Sequence, residues 1–188
     1  MKNEMEKNRS KSGKTKDPAH KNVILIGYMG CGKSTIGCRL SYRLRMPFLD
    51  TDKQIEIRQN REISEIFALQ GEQAFRDMET ECLRHLLSDK CKYVVAVGGG
   101  LPIREENREL LKQLGTCIYL KATPDTIYER LKNDTSRPLL QRDDPYAVIC
   151  DMLKERQGIY ESCADMVLPV DDKTIEQLVK EVEEMIRT

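Results

Sequence analysis

From Val23 onward, short continuous apolar runs alternate with longer stretches in which apolar residues recur every three or four positions. The runs predict strands over 23–27, 47–50, 93–97, 116–120 and 166–169. The periodic stretches predict helices over 33–45, 53–60, 64–69, 72–87, 105–114, 124–131, 145–160 and 173–186. Boundary chemistry agrees with this reading. Pro124 and Pro145 suit a first helical turn, and Asp144 and Asp172 suit N-caps. Strands that are apolar throughout, alternating with helices, predict an α/β domain with a parallel sheet covered on both faces. Ligands of such sheets bind beyond the carboxyl ends of the strands. No internal repeat interrupts the alternation.

Residues 1–22 break the pattern. Lys2, Lys7, Arg9, Lys11, Lys14, Lys16 and Lys21 outnumber Glu4, Glu6 and Asp17, and hydrophobic residues are almost missing. Such a segment cannot bury enough apolar surface to order itself. The expectation is a disordered basic tail over 1–22, with Asp17-Pro18 marking its edge, followed by one folded domain over 23–188. A solvated tail accounts for this composition more simply than a nucleic-acid role. Across the 188 residues the formal net charge is +0, so no whole-molecule field draws nucleic acid or membrane. Trp is absent, which disfavours base stacking as a main function. The longest apolar runs fall far short of a membrane span, and no secretory apolar region follows Met1. The seven cysteines form no C-x-x-C pair. The expectation is a reduced, cytoplasmic protein without a structural zinc site.

The first predicted strand runs straight into Gly27-Tyr28-Met29-Gly30-Cys31-Gly32-Lys33-Ser34-Thr35, which fits the phosphate-loop pattern G-x-x-x-x-G-K-S/T. The glycines let successive backbone N–H groups turn toward a phosphate chain, and the following helix aims its positive end at the same anion. Ile36, Leu40 and Leu44 continue at helical spacing, as that context requires. Lys33 would reach the β- and γ-phosphates, and the Ser34 hydroxyl would take one Mg²⁺ position. Cys31, inside the loop, predicts that thiol reagents block nucleotide binding.

Four further features sit where this sheet would gather them. Asp50 and Asp52 are two residues apart, and if the strand continues through them both side chains share a face. One carboxylate could then serve Mg²⁺ and the other the attacking hydroxyl; the plainer alternative is Asp52 capping a helix that starts near Lys53. Gly98-Gly99-Gly100, after the apolar run 94–97, suits a ligand that approaches the main chain, or else a plain flexible turn. Arg76 and Glu79 are three apart and can meet on one helical face. They read either as an exposed ion pair of little worth or as an arginine held ready to fork onto a substrate carboxylate. The stretch 133–144, with Arg137-Pro138-Leu139-Leu140, has the length of a mobile lid, from which Arg137 could reach the phosphates. Arg156 carries no signal of its own.

Taken together, the phosphate loop, Phe48-Leu49-Asp50-Thr51-Asp52, Ile66-Phe67-Ala68 with Gly71-Glu72 and Phe75-Arg76, the three glycines and Arg137-Pro138-Leu139-Leu140 resemble the shikimate kinases, from about Val23 to Arg187. The resemblance implies a P-loop, adenylate-kinase-like fold: a five-stranded parallel sheet of order 2-3-1-4-5 flanked by helices, with a mobile lid. It implies ATP-dependent phosphorylation of the shikimate 3-hydroxyl, in the pathway to chorismate and the aromatic amino acids. By position, Gly30, Cys31, Gly32, Lys33, Ser34 and Thr35 would hold ATP, with Arg130 near the adenine. Asp52 would hold the hydroxyl and accept its proton, and Asp50 would hold Mg²⁺ beside Ser34. Arg76 and Arg156 would clamp the carboxylate with backbone help from Gly98, Gly99 and Gly100. Phe67 and Phe75 would line the ring pocket, and Arg137 would close from the lid. Further adenine contacts are expected near Val170-Asp171. Gly158 stands where the family often has proline, Asn133-Asp134 lacks the glycines often found at the lid stem, and the basic tail has no family counterpart. The expected partners are ATP and shikimate, the expected state a monomer. Another small-molecule kinase of the same fold, acting on gluconate or a nucleoside monophosphate, is the second reading. An ATP-binding regulatory protein recruited through the tail is the third.

Overall fold

The computed structural model describes residues 21–134 and 143–187. Arg137 and all but the last two residues of the expected tail lie outside these. The chain opens on β1 (Asn22–Ile26), which turns through the glycine-rich loop into α1 (Lys33–Leu44). Then follow β2 (Phe48–Asp50), α2 (Thr51–Gln59), α3 (Ile63–Ser88) and β3 (Val94–Ala96). A single 3-10 turn, Leu101–Ile103, leads into α4 (Glu105–Leu114) and β4 (Gly115–Lys121). The remainder is α5 (Pro124–Leu131), α6 (Pro145–Cys163), β5 (Met166–Pro169) and α7 (Ile175–Arg187).

The five strands form one parallel sheet in the order β2-β3-β1-β4-β5, the expected order. β1 is central and wholly buried, paired to β3 through Val23↔Val94 and to β4 through Val23↔Thr116. Helix α1 packs on α7, while α4 packs on α3 and α6, so the sheet is enclosed by helices. Enclosure explains why its strands read as unbroken apolar runs rather than alternating ones. No helix among the described residues is long and apolar enough to cross a membrane.

The first strand starts one residue before the apolar pattern does. Asn22 is polar yet buried: its Nδ2 donates to the Leu114 carbonyl at 2.8 Å and its Oδ1 accepts from the Tyr93 amide at 2.8 Å. Gly71 explains the predicted gap between two helices. They are joined end to end, and Gly71 breaks the helical path with φ 83 and ψ 171. Asp144 caps α6 as expected, accepting from the Ala147 amide at 3.0 Å. Asp172 does not cap α7. It lies at φ 56, in the left-handed region, whereas an N-cap needs an extended backbone. Thr174 takes the role, accepting from the Gln177 amide at 3.3 Å while Gln177 Oε1 accepts from the Thr174 amide at 2.8 Å.

Candidate active site

The carboxyl ends of β1, β2 and β3 open onto a cavity of about 560 Å³. Gly30, Gly32, Lys33, Ser34 and Thr35 line it from the first loop, Asp50 and Asp52 from the second, and Gly99 from the third. Arg130 of α5 closes one side, its Nη1 donating to the Gly30 carbonyl at 3.2 Å. Lys173, Thr174 and Ile175 close another. Val170 and Asp171, near which adenine contacts are expected, are not among the residues lining this cavity. Val170 is fully buried, and the Asp171 carboxylate accepts from the Thr123 amide and hydroxyl, each at 3.0 Å.

Within the first loop the Lys33 ammonium folds back on its own turn. It donates to the Gly27 carbonyl at 2.9 Å and the Tyr28 carbonyl at 2.8 Å. Gly32 sits at φ 101 immediately before α1, so the helix N-terminus faces the cavity. Cys31 has no exposed surface. A thiol must be accessible to react, so alkylation of the native protein reports first on the exposed Cys38 and Cys91, not on the loop.

The two aspartates part company. β2 stops at Asp50 and α2 starts at Thr51, so they do not share a strand face. Asp50, not Asp52, is the cap: its Oδ1 accepts from the amides of Asp52 at 3.1 Å and Lys53 at 3.4 Å. Its Oδ2 accepts from the Ser34 hydroxyl at 2.7 Å. Asp52 lies in the first helical turn and is directed at the glycine loop. A Cβ on Gly98 would stand 2.5 Å from Asp52 Oδ1 and 2.8 Å from Glu79 Oε1, so only glycine fits between these carboxyls. The Gly98 amide donates to the buried Thr51 hydroxyl at 3.0 Å, which ties the third loop to the start of α2.

Arg76 completes the cluster. Its Nη1 meets Glu79 Oε2 at 2.8 Å and its Nη2 meets Glu72 Oε1 at 2.9 Å. A Cβ on Gly100 would lie 2.5 Å from Arg76 Nη1, so the guanidinium rests directly on the glycine loop. This is not an exposed pair, because the Glu79 side chain is 1% exposed. Burial drives the Glu79 carboxyl up to about 7 against the pull of Arg76, and the nearby Asp52 charge adds to the rise. Burial would lower Arg76, but Glu79 and Glu72 outweigh it and hold the guanidinium above its ordinary range. Phe75 lies under Arg76 at 5.6 Å and stacks with Phe67 at 4.8 Å between ring centroids.

Arg156 approaches from α6, its guanidinium carbon 5.9 Å from the centre of the Tyr28 ring. Tyr28, within the phosphate loop, and Tyr160 of α6 border this region, and neither is among the expected site residues. Both are buried, and Tyr160 Oη donates to the Gly99 carbonyl at 2.6 Å. No local pattern marks Tyr160, since a tyrosine at helical spacing reads as core. Of the expected substrate residues, Asp52 of α2 and Arg76 of α3 meet the loop 98–100 directly, while Arg156 of α6 lies beside Tyr28 and Tyr160; the expected nucleotide residues gather at the loop 27–35 beside them.

A family model described as shikimate kinase matches residues 29–187. A shikimate kinase of Bacillus cereus is 42% identical over 166 residues, covering 88% of this chain and 98% of its own. One of Burkholderia thailandensis is 41% identical over 167 residues, covering 89% and 90%. The solved shikimate kinase of Acinetobacter baumannii, in complex with shikimate, superposes with a TM-score of 0.83 at 36% identity, covering 88% of this chain and 92% of that one. By the family model and by these identities over nearly the whole folded chain, the protein belongs to the shikimate kinase family.

Proposed function

We propose that this protein transfers the γ-phosphate of ATP to the 3-hydroxyl of shikimate, a step in aromatic amino-acid biosynthesis. Family membership supports the reaction, and the Acinetobacter relative with shikimate bound supports the acceptor. The observation that carries the assignment of roles is the meeting of Asp52, Glu79 and Arg76 around Gly98 and Gly100, one loop away from Lys33.

Each group has a task set by its chemistry. With nucleotide bound, Lys33 exchanges the Gly27 and Tyr28 carbonyls for phosphate oxygens and offsets their charge. Backbone amides from Gly30 to Thr35 and the start of α1 hold the same anion. Asp52 holds the 3-hydroxyl and accepts its proton as the hydroxyl oxygen attacks the γ-phosphorus and ADP leaves. Arg76 and Arg156 grip the carboxylate, with Phe67 and Phe75 beside the ring. Arg137, outside the described residues, is the lid arginine of this reading, and Arg130 lies beside the adenine.

Mg²⁺ suits the hydroxyl and carboxylate already together at Ser34 and Asp50, since it favours hard oxygen ligands and keeps several waters. When bound, it neutralises charge on the β- and γ-phosphates. The Asp50 Oδ2 remains for that work while Oδ1 caps α2. A monomer is the proposed working unit. A cytoplasmic location and a dispensable basic tail complete the proposal.

ADP release should follow shikimate, but not gluconate or nucleoside monophosphates, in a panel run at equal concentrations. Turnover with either of the others and not with shikimate would replace the acceptor. Asp52→Asn should lower kcat by roughly 10²–10⁴ while both substrates still bind. An unchanged kcat would remove Asp52 as the proton acceptor.

A further inference from the structure

Tyr160 and Arg156 lie one helical turn apart on α6, so their side chains leave the helix on the same face. The Tyr160 side chain has no exposure, and its ring packs on Tyr119 of β4 with centroids 5.2 Å apart. Its hydroxyl donates to the Gly99 carbonyl at 2.6 Å. The Arg156 guanidinium faces the phenol oxygen, and its charge opposes the upward push that burial gives the phenol. Burial prevails, so the hydroxyl keeps its proton and remains a donor. The next residue in the loop, Gly100, carries the Arg76 guanidinium against its α-carbon. One phenol thus stands between the loop on which Arg76 rests and the arginine that comes from α6.

We infer that Tyr160 is a positioning residue for recognition of the substrate carboxylate: its hydroxyl sets the spacing between Arg156 and the Gly99–Gly100 backbone. The inference rests on the shikimate reading. A carboxylate gripped by two guanidinium groups tolerates little error in their separation, because charge-assisted bonds weaken steeply once bent or stretched. Arg156 is half-buried and sits beside Tyr160 on a long flexible stem. Without a fixed acceptor it would lose more freedom on binding substrate. The ring alone suffices for packing, since the contact with Tyr119 involves no polar atom. The hydroxyl is therefore the part with a recognition task.

The test is Tyr160→Phe in the full chain, run beside the wild type. The shikimate KM should rise about tenfold, the upper worth of one ordinary hydrogen bond. The ATP KM should stay within about twofold and the melting temperature near that of the wild type. Combining Tyr160→Phe with Arg156→Ala should raise the shikimate KM by much less than the product of the two single effects. An unchanged shikimate KM, strict multiplication in the double variant, or a large fall in melting temperature would each overturn the inference. Wild-type enzyme that fails to turn over shikimate would remove the functional reading as well. Wild-type turnover with an unaltered Phe variant would remove only the role of Tyr160.

Discussion

Glu79 is the buried carboxyl at the centre of the site. Arg76 meets it from its own helix, Asp52 faces it from α2, and Arg104 adds a weaker positive field. Burial nevertheless dominates and lifts the carboxyl from 4.5 to about 7. A carboxyl whose native pKa exceeds its unfolded value binds its proton more tightly when folded. Stability from this group is therefore full below pH 4.5 and is lost as pH rises through about 7. Urea unfolding between about pH 5 and pH 8 should show the wild type losing on the order of 2–3 kcal/mol relative to Glu79→Gln, since each tenfold difference in proton affinity between the folded and unfolded carboxyl is worth about 1.4 kcal/mol. The glutamine keeps an acceptor for Arg76, so the comparison isolates the ionisation. Parallel pH profiles for the two proteins would place Glu79 at an ordinary carboxyl pKa. The spacing of Arg76 and Glu79 is legible in the sequence, but the raised pKa is not. It arises only because the glycine loop from β3, some twenty residues further along, closes over the pair.

Helices carry the clearest sequence signals here and also the clearest departures. All five strands and every predicted helix are present, because fully buried strands and amphipathic helices leave different apolar periods. Helix ends are less legible. Asp50 and Asp52 are equally good caps by residue type, as are Asp172 and Thr174, and backbone conformation alone decides between them. Tyr160 is invisible for a related reason: its partner, the Gly99 carbonyl, belongs to another element. Gly158 is an element-level case with a measurable outcome. It lies in α6, exposed, and a Cβ there would meet nothing within 4 Å. Gly158→Ala should stabilise the protein by about 0.5–1 kcal/mol through the unfolded chain and helix propensity. For a domain of this size that is a rise of about 1–4 °C in melting temperature. A fall would show that α6 needs a flexible point between Arg156 and Tyr160.

At the scale of the whole molecule, Asn22 marks where truncation should begin to matter. Removing residues 1–20 should leave kcat and melting temperature nearly unchanged, which turnover and a thermal scan would check. Cutting two residues further should not be neutral. Loss of Asn22 strands the Tyr93 amide and the Leu114 carbonyl, at a cost of about 1–3 kcal/mol for each buried group left unpaired. Equal melting temperatures for the two truncations would contradict the bridging role of Asn22. Of the five strands described, the one that begins with Asn22 is the earliest in the chain, and it occupies the middle of the sheet. Its hydrogen-bonding neighbour Tyr93 lies 71 residues downstream. At about 5–20 residues per second, a ribosome takes roughly 4–14 s to supply that neighbour. Until then Ile24, Leu25 and Ile26 have neither of the strands that flank them in the sheet. The nascent polypeptide is then a natural client for chaperones, well before it can bind its first nucleotide.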